Sequence, residues 1–253
     1  MEQFLAWKKL VEAGEGDLWQ QFYVKFYQAF IKGDSWKLYL SGVGTTLLVT
    51  ALALLIGVAL GILVSVVRTA HDQQRPGRRN PVLGVLNGIF KVYVTVIRGT
   101  PMMVQLMIMG LVIFASSRNF AMVGALSLGI NSGAYTAEII RGGLMSVDAG
   151  QMEAGRSLGL NYIDTMRFII VPQAIKAILP SLGNEFIVLL KDTSLMTVIA
   201  GKELMYAAKT ISGKNYEYLF PYLGVAIIYL LLVMLFTWLL GIFERRLRAS
   251  DRR

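Results

Sequence analysis

An all-α polytopic membrane protein is the fold class this sequence predicts, and three observations predict it. The apolar fraction is 55% and the charged fraction only 16%, where soluble domains carry about 25% charge. Mean hydropathy is +0.56. Apolar runs of the roughly 20 residues that a helix needs to cross a bilayer recur along the chain. Lys and Arg number 25 against 16 Asp and Glu, a formal net charge of +9. Most of these cations bracket the apolar runs instead of gathering on one polar face. That placement orients spans in a membrane and argues against nucleic-acid binding. With no cysteine in the chain, disulfides, thiolate metal sites and cysteine nucleophiles are excluded. The single histidine, His71, leaves a His-ligated metal cluster without ligands.

Taken in order, residues 1–41 form an extracytoplasmic segment, 42–243 the transmembrane domain, and 244–253 a basic cytoplasmic tail. Before the first span, Trp19, Phe22, Tyr23, Phe26 and Phe30 recur at helical spacing. They predict an amphipathic helix that either lies on the outer membrane interface or packs on the rim of the bundle. Gly42 to Val67 and Pro221 to Phe243 are apolar runs without a charge. Less uniform runs lie at about 83–115, 120–144 and from 168 to about 190, the last continuing into a helix that re-enters or lies at the far surface. Five crossings result, so the termini lie on opposite sides.

The positive-inside bias chooses the sides. Arg68, Arg75, Arg78 and Arg79 follow the first run, and Arg245, Arg246, Arg248, Arg252 and Arg253 follow the last, while the first 41 residues balance five lysines against five acids. The N-terminus is therefore expected outside and the C-terminus in the cytoplasm. No cleavable signal peptide is visible, and the first span is expected to act as an uncleaved anchor.

Ionisable groups at membrane depth usually have a partner or a task. Asn131, Tyr135 and Glu138 share one stripe, with Ala125, Gly129, Gly133 and Ala137 on another face. The small residues predict close packing, as do Gly57 and Gly61. The polar stripe predicts either a substrate cavity or a Glu138 paired with a buried Arg or Lys. A second cluster comprises Asn184, Glu185, Lys191, Asp192, Thr193 and Ser194. Its mixed charges suit a zwitterion: Lys191 would take a carboxylate, Glu138 or Asp192 a cationic group. The same Asp192-Thr193-Ser194 run also reads as a cap that starts a new helix. Pro101, after Arg98-Gly99-Thr100, predicts a break, with Arg98 snorkelling or satisfying freed carbonyls. Catalytic residues and metal ligands are not expected.

The polar stretch from about 145 to 167 predicts a short helix capped by Asp148, a turn at Gly159 and a second piece leading into Pro172. An excursion of that size between spans suits docking of another protein. Here the residues carry a resemblance. Glu153-Ala154-Gly155-Arg156-Ser157-Leu158-Gly159, nine further residues, then Ile169 and Val171-Pro172 resemble the EAA signature of ABC-importer permeases. Gly155 and Val171 depart from that pattern but keep its size classes. Arg98-Gly99-Thr100-Pro101, the run from Ala134 through Glu138 and Arg141 to Gly142, Gly150-Gln151, Pro172-Gln173-Ala174 and Lys191-Asp192-Thr193-Ser194-Leu195 are similar to the polar-amino-acid branch. The resemblance covers about residues 40–243.

It implies a type I ABC importer transmembrane domain with five core helices and a cytoplasmic coupling helix, working as a dimer with an identical or homologous permease subunit in a bacterial inner membrane. Glu153, Ala154, Gly155, Leu158 and Gly159 would form the coupling surface for ABC ATPase subunits. An extracytoplasmic solute-binding protein would deliver a polar amino acid. No cofactor would be bound by this chain, ATP and magnesium being used by the ATPase. No P-loop occurs, since Gly213-Lys214-Asn215 lacks the upstream glycine and the hydroxyl. The competing reading is an ion-gradient-driven secondary transporter or channel using the acidic residues as proton or cation sites.

Overall fold

The computed structural model describes residues 2–74 and 80–249. Arg75, Arg78 and Arg79, on which the orientation argument partly rests, lie outside the described residues, as do Asp251, Arg252 and Arg253. Among the described residues the structure is helical throughout. A hairpin of α1 (Glu2–Glu12) and α2 (Leu18–Phe30) precedes α3 (Ser35–Asp72), whose 38 residues make a rod of about 57 Å. Four helical segments are long and apolar enough to cross a membrane: Lys32–Asp72, Pro81–Gly99, Tyr162–Ile199 and Leu219–Leu247. The helix α6 (Phe120–Met145) has 26 residues, about 39 Å, and carries Asn131, Glu138 and Arg141 along its length.

The run expected as one interrupted crossing at 83–115 is two helices. α4 (Pro81–Gly99) ends where Thr100 turns extended at φ −121°, ψ 147°. α5 (Met102–Ile108) starts after Pro101 and continues as a wider turn over Met109–Ile113. At 12 residues for Met102–Ile113, the second piece spans about 18 Å, short of the roughly 30 Å of hydrocarbon. Pro101 has no N–H to continue α4, and the residue before a proline is pushed out of the helical region.

α3 and α6 form the spine of the bundle. Their axes approach because the small residues leave no side chain between them. A Cβ on Gly57 would lie 2.8 Å from the Ser132 hydroxyl, one on Gly61 2.5 Å from the Thr136 methyl, and one on Gly129 2.7 Å from Ile56. The small-residue stripe expected on α6 is thus its face toward α3. Val64, Val94, Ala134 and Ala137 pack behind it, with Tyr93 donating its hydroxyl hydrogen to the Ile130 carbonyl at 2.6 Å.

Between α6 and the next span lie α7 (Ala149–Ser157) and α8 (Tyr162–Thr165), the latter running through a wide turn (Met166–Ile170) into α9 (Val171–Asp192). α9 passes without a side-chain cap into a tight turn of helix, Thr193–Ile199. The expected Asp192 cap is therefore corrected: the helix tightens and does not restart, and the Thr193 hydroxyl bonds back to the Leu190 carbonyl at 2.7 Å. Ala200, at φ +59°, reverses the chain into α10 (Leu204–Asn215), which folds back beside the starts of α3 and of α11 (Leu219–Ala249). A helix after the fourth long span is thus present, folded back against the bundle. The basic tail begins as a continuation of α11, helical through Ala249.

Candidate functional site

The polar face of α6 meets three sets of partners. Asn131 donates from Nδ2 to Gln105 Oε1 at 2.9 Å. Gln105 in turn donates from Nε2 to the Ile97 carbonyl at 2.8 Å, the Thr100 hydroxyl at 2.8 Å and the Thr100 carbonyl at 3.2 Å. Gln105, not Arg98, thus satisfies carbonyls left free where α4 stops. Arg98 instead lies over the Tyr135 ring, 5.2 Å from its centroid, a geometry in which a guanidinium is attracted by the ring face. The break expected at Arg98 and Pro101 is present, and the carbonyls expected to be met by Arg98 are met by Gln105.

One turn on, Glu138 is clamped by two arginines. Arg68 of α3 donates from Nη1 to Oε1 at 2.5 Å, and Arg141 donates from Nη2 and Nε to Oε2 at 2.8 and 3.0 Å. All three side chains are partly buried, Glu138 and Arg68 at 19% exposure. Three hydrogen bonds from two guanidinium groups compensate the Glu138 charge within the protein. The paired reading holds for Glu138 in this structure. It also ties the far end of α3 to α6.

The remaining expected pathway residues do not gather around this stripe. Glu185, buried on α9, accepts from the Ser132 hydroxyl at 2.7 Å. Thr193 is buried beside Tyr229, its hydroxyl 3.4 Å from the phenol oxygen. Lys191 is exposed, while Asp192 and Ser194 are half-buried and lie apart from Glu138. Ser132 of α6 meets Glu185 and Gly124 meets Met196, an antiparallel register that sets Lys191 and Asp192 at a different level of the bundle from Glu138.

A cavity of about 290 Å³ opens beside the α4–α5 break, lined by Thr100, Gln105, Ser127, Ile130 and apolar neighbours. The Ser127 hydroxyl is buried there without a hydrogen-bond partner. A larger cavity, about 730 Å³, is apolar and lies between the far ends of α3 and α6 and α8–α9.

Sequence reasoning missed Glu203. It is 1% exposed and caps α10, accepting from the Met205 and Tyr206 amides at 2.7 and 2.8 Å, the Thr197 hydroxyl at 2.8 Å and the Tyr229 hydroxyl at 2.9 Å. Four donors around one carboxylate hold the turn, α10 and α11 together. The signal was legible, an acidic residue directly before a helix start, but its partners sit up to 26 residues away. Arg68 was missed as a partner for the same reason, being 70 residues from Glu138.

The coupling segment has the expected form. Asp148 caps α7 through the Gly150 amide at 2.7 Å. Gly155 is buried against Thr165, where a Cβ would come within 2.5 Å of the methyl. Gly159, at φ +81°, makes the turn with its amide on the Arg156 carbonyl at 2.9 Å. Gln173 of α9 donates to Gln151 of α7 at 3.2 Å. Glu153, Ala154 and Leu158 face outward, Leu158 at 78% exposure. The result is an elbow braced against α9, with Glu153, Ala154 and Leu158 on its exposed side.

Residues 81–249 match the family described as the binding-protein-dependent transport system inner membrane component. The chain is 35% identical over 211 residues to a protein of Rickettsia bellii named as a putative glutamine transport system permease, covering 81% of this chain and 90% of that one. It is 34% identical over 215 residues to the glutamine transport system permease of Escherichia coli K12, covering 83% and 93%. Among solved structures, an amino acid ABC transporter with histidines matches with a TM-score of 0.74 at 41% identity, covering 83% of this chain and 94% of that one. The inward-facing methionine transporter MetNI matches with a TM-score of 0.68 at 20% identity over 86% and 99% of the chains, which shows shared fold alone. The chain belongs to the inner-membrane components of binding-protein-dependent transport systems: a multi-pass ABC-importer permease subunit, with the ATPase on a separate subunit.

Proposed function

We propose that this permease carries a polar amino acid inward by alternating access, driven through α7 by a separate ATPase that binds the ATP and magnesium. The observation that carries the reading is the elbow. Gly155 locks α7 onto Thr165, and α8 runs into α9, so a push on the outward face of α7 is delivered to a membrane-spanning helix. ATPase closure would then bias two arrangements of the spans. Glu153, Ala154 and Leu158 form the contact; Gly155 and Gly159 keep it rigid.

The substrate route passes the α4–α5 break, where Gln105, Asn131 and Ser127 supply hydrogen-bonding groups beside a small cavity. Amino-acid transport is supported by the names of the glutamine permease relatives and of the histidine-bound transporter. The Arg68–Glu138–Arg141 triad works as a latch between α3 and α6. Glu185, Lys191, Asp192, Thr193 and Ser194 bear on how α9 and the turn after it move. The assembly includes a second permease subunit and an extracytoplasmic solute-binding protein. The N-terminus lies outside and the C-terminus in the cytoplasm, as the arginine distribution requires.

Uptake into proteoliposomes tests this directly. Labelled polar amino acids are offered to the chain reconstituted with its ATPase and binding protein. Accumulation is expected only with ATP inside the ATPase-bearing compartment. Uptake driven by an ion gradient, with the ATPase omitted, would establish the secondary-transporter reading instead.

A further inference from the structure

The hairpin of α1 and α2 is the element that transport leaves without a task. α2 begins with a reciprocal cap: Asp17 accepts the Gln20 amide at 2.7 Å, and the Gln20 side chain accepts the Asp17 amide at 3.2 Å. Its one flank is covered by α1, with Phe4 on Tyr27 at 4.4 Å and Trp7 edge-on to Tyr23 at 5.1 Å. Its inner side is fixed to the bundle. Phe30 fills the space over Gly224 and meets Tyr39 at 5.5 Å. Lys25 pairs with Glu217 at 3.4 Å, and Asn215 donates to the Gln28 carbonyl at 3.1 Å.

The third side is uncovered and carries no charge. Leu18, Trp19, Phe22 and Phe26 are all exposed, Leu18 at 85% and Trp19 at 64%. At about 100° per residue these positions fall within an arc of about 100°, one continuous stripe. Trp19 stacks on Phe22 at 5.8 Å and Phe22 on Phe26 at 6.1 Å. The stripe does not stop at α2. Phe22 meets Phe220 edge-to-face at 5.2 Å, at the start of α11, where Leu219, Leu223 and Ile227 are exposed in turn.

We infer that α2 is an interfacial helix whose aromatic stripe lies in the lipid headgroup–acyl boundary, seating the outer ends of α10 and α11. The occupant follows from continuity. α11 spans the membrane, its exposed apolar face meets acyl chains, and the α2 stripe extends that face sideways at the level where α11 begins. Tryptophan and phenylalanine without charge suit that boundary, where aromatic rings gather. A docking patch for a water-soluble protein would carry hydrogen-bonding side chains among the aromatics; within the stripe the Trp19 ring is the one donor, and Lys25 at its edge is paired with Glu217. The inference needs only that α11 crosses the bilayer, not that the chain carries amino acids.

The cysteine-free sequence makes a clean test. Single cysteines are introduced as Leu18→Cys, Phe22→Cys, Phe26→Cys and, on the exposed surface of α1, Lys9→Cys. Each is labelled with a nitroxide in the assembled transporter in phospholipid nanodiscs, and collisions with oxygen and with a water-soluble nickel chelate are compared. Oxygen is expected to dominate severalfold at residues 18, 22 and 26, and the chelate at residue 9. Chelate dominance on the stripe would overturn the inference, because the stripe would then face water. Exclusion of both reagents would also overturn it, because another protein chain would then cover the stripe. A second readout avoids substitution on the stripe: acyl-brominated lipids should quench the tryptophan emission, and Trp19→Phe should remove that part of the quenching. No Trp19 contribution to quenching counts against the inference.

Discussion

The two sides of α6 are built on opposite plans. Toward α3 it shows glycine, serine, threonine and alanine, and the helices close until a single added carbon would collide. Toward α4 and α5 it shows Asn131 and Tyr135, met by a broken helix, a glutamine plug and Arg98, while Glu138 reaches to Arg68 of α3. α4 itself is scarcely buried, with Val94 its one buried residue, and Gly84 and Gly88 have open space around them. The first side is a close-packed spine, where separating the helices would open an apolar gap. The second is assembled from polar contacts that can exchange partners without opening an apolar void. An importer that rocks between two states needs both, and the sequence places them on one helix.

That contrast can be broken most forcefully on the spine. Gly61→Leu would drive a branched side chain into Thr136, and overpacking of this kind costs about 1–3 kcal/mol or more. A lower melting temperature and loss of assembled protein in detergent are expected. Gly84→Leu on α4, where nothing lies within 4 Å, should leave the melting temperature nearly unchanged. Equal effects at the two glycines would remove the distinction.

Glu138→Gln comes next. It leaves Arg68 and Arg141 facing one another with a neutral amide between them. The triad is only partly buried, so the loss should fall between the about 0–1 kcal/mol of an exposed pair and the about 3–5 kcal/mol of breaking a buried one. Reduced stability should come with altered uptake of every substrate alike. A change confined to the affinity for cationic amino acids would return Glu138 to the substrate itself.

Gly159→Ala puts a Cβ into the left-handed region at φ +81°, a strain of roughly 1–2 kcal/mol. Membrane insertion should be normal, and uptake per ATP hydrolysed should fall, because the elbow bends differently. Gln105→Ala frees the Ile97 and Thr100 carbonyls and the Asn131 amide, at about 1 kcal/mol per net hydrogen bond. A modest drop in stability should then accompany a larger change in transport rate, as a plug beside the route would produce.

How far these features were legible follows the range of the interactions. The small-residue spacing on α6, the Pro101 break, the Asp148 cap and the Gly159 turn are local, and each rests on backbone chemistry within a few residues. The amphipathic spacing of Trp19, Phe22 and Phe26 was equally plain. Pairings across the chain were not. Glu138 advertised a need for a cation, and the choice of Arg68 depends on the α3–α6 register set by Gly57 and Gly61. Glu203 looked like one more acidic residue in a loop until the chain reversal at Ala200 put Thr197 and Tyr229 around it. The level of Lys191 relative to Glu138 was equally out of reach, because it depends on the antiparallel α6–α9 register seen at Ser132–Glu185 and Gly124–Met196.

The central claim is that force enters through the outward surface of α7, and Leu158 tests it most directly. Its side chain is 78% exposed, so Leu158→Asp should leave the folded subunit intact. In proteoliposomes carrying the complete transporter, the account predicts that this substitution abolishes ATP-driven uptake while the permease still inserts and melts as the parent does. Uptake at the parent rate would contradict it.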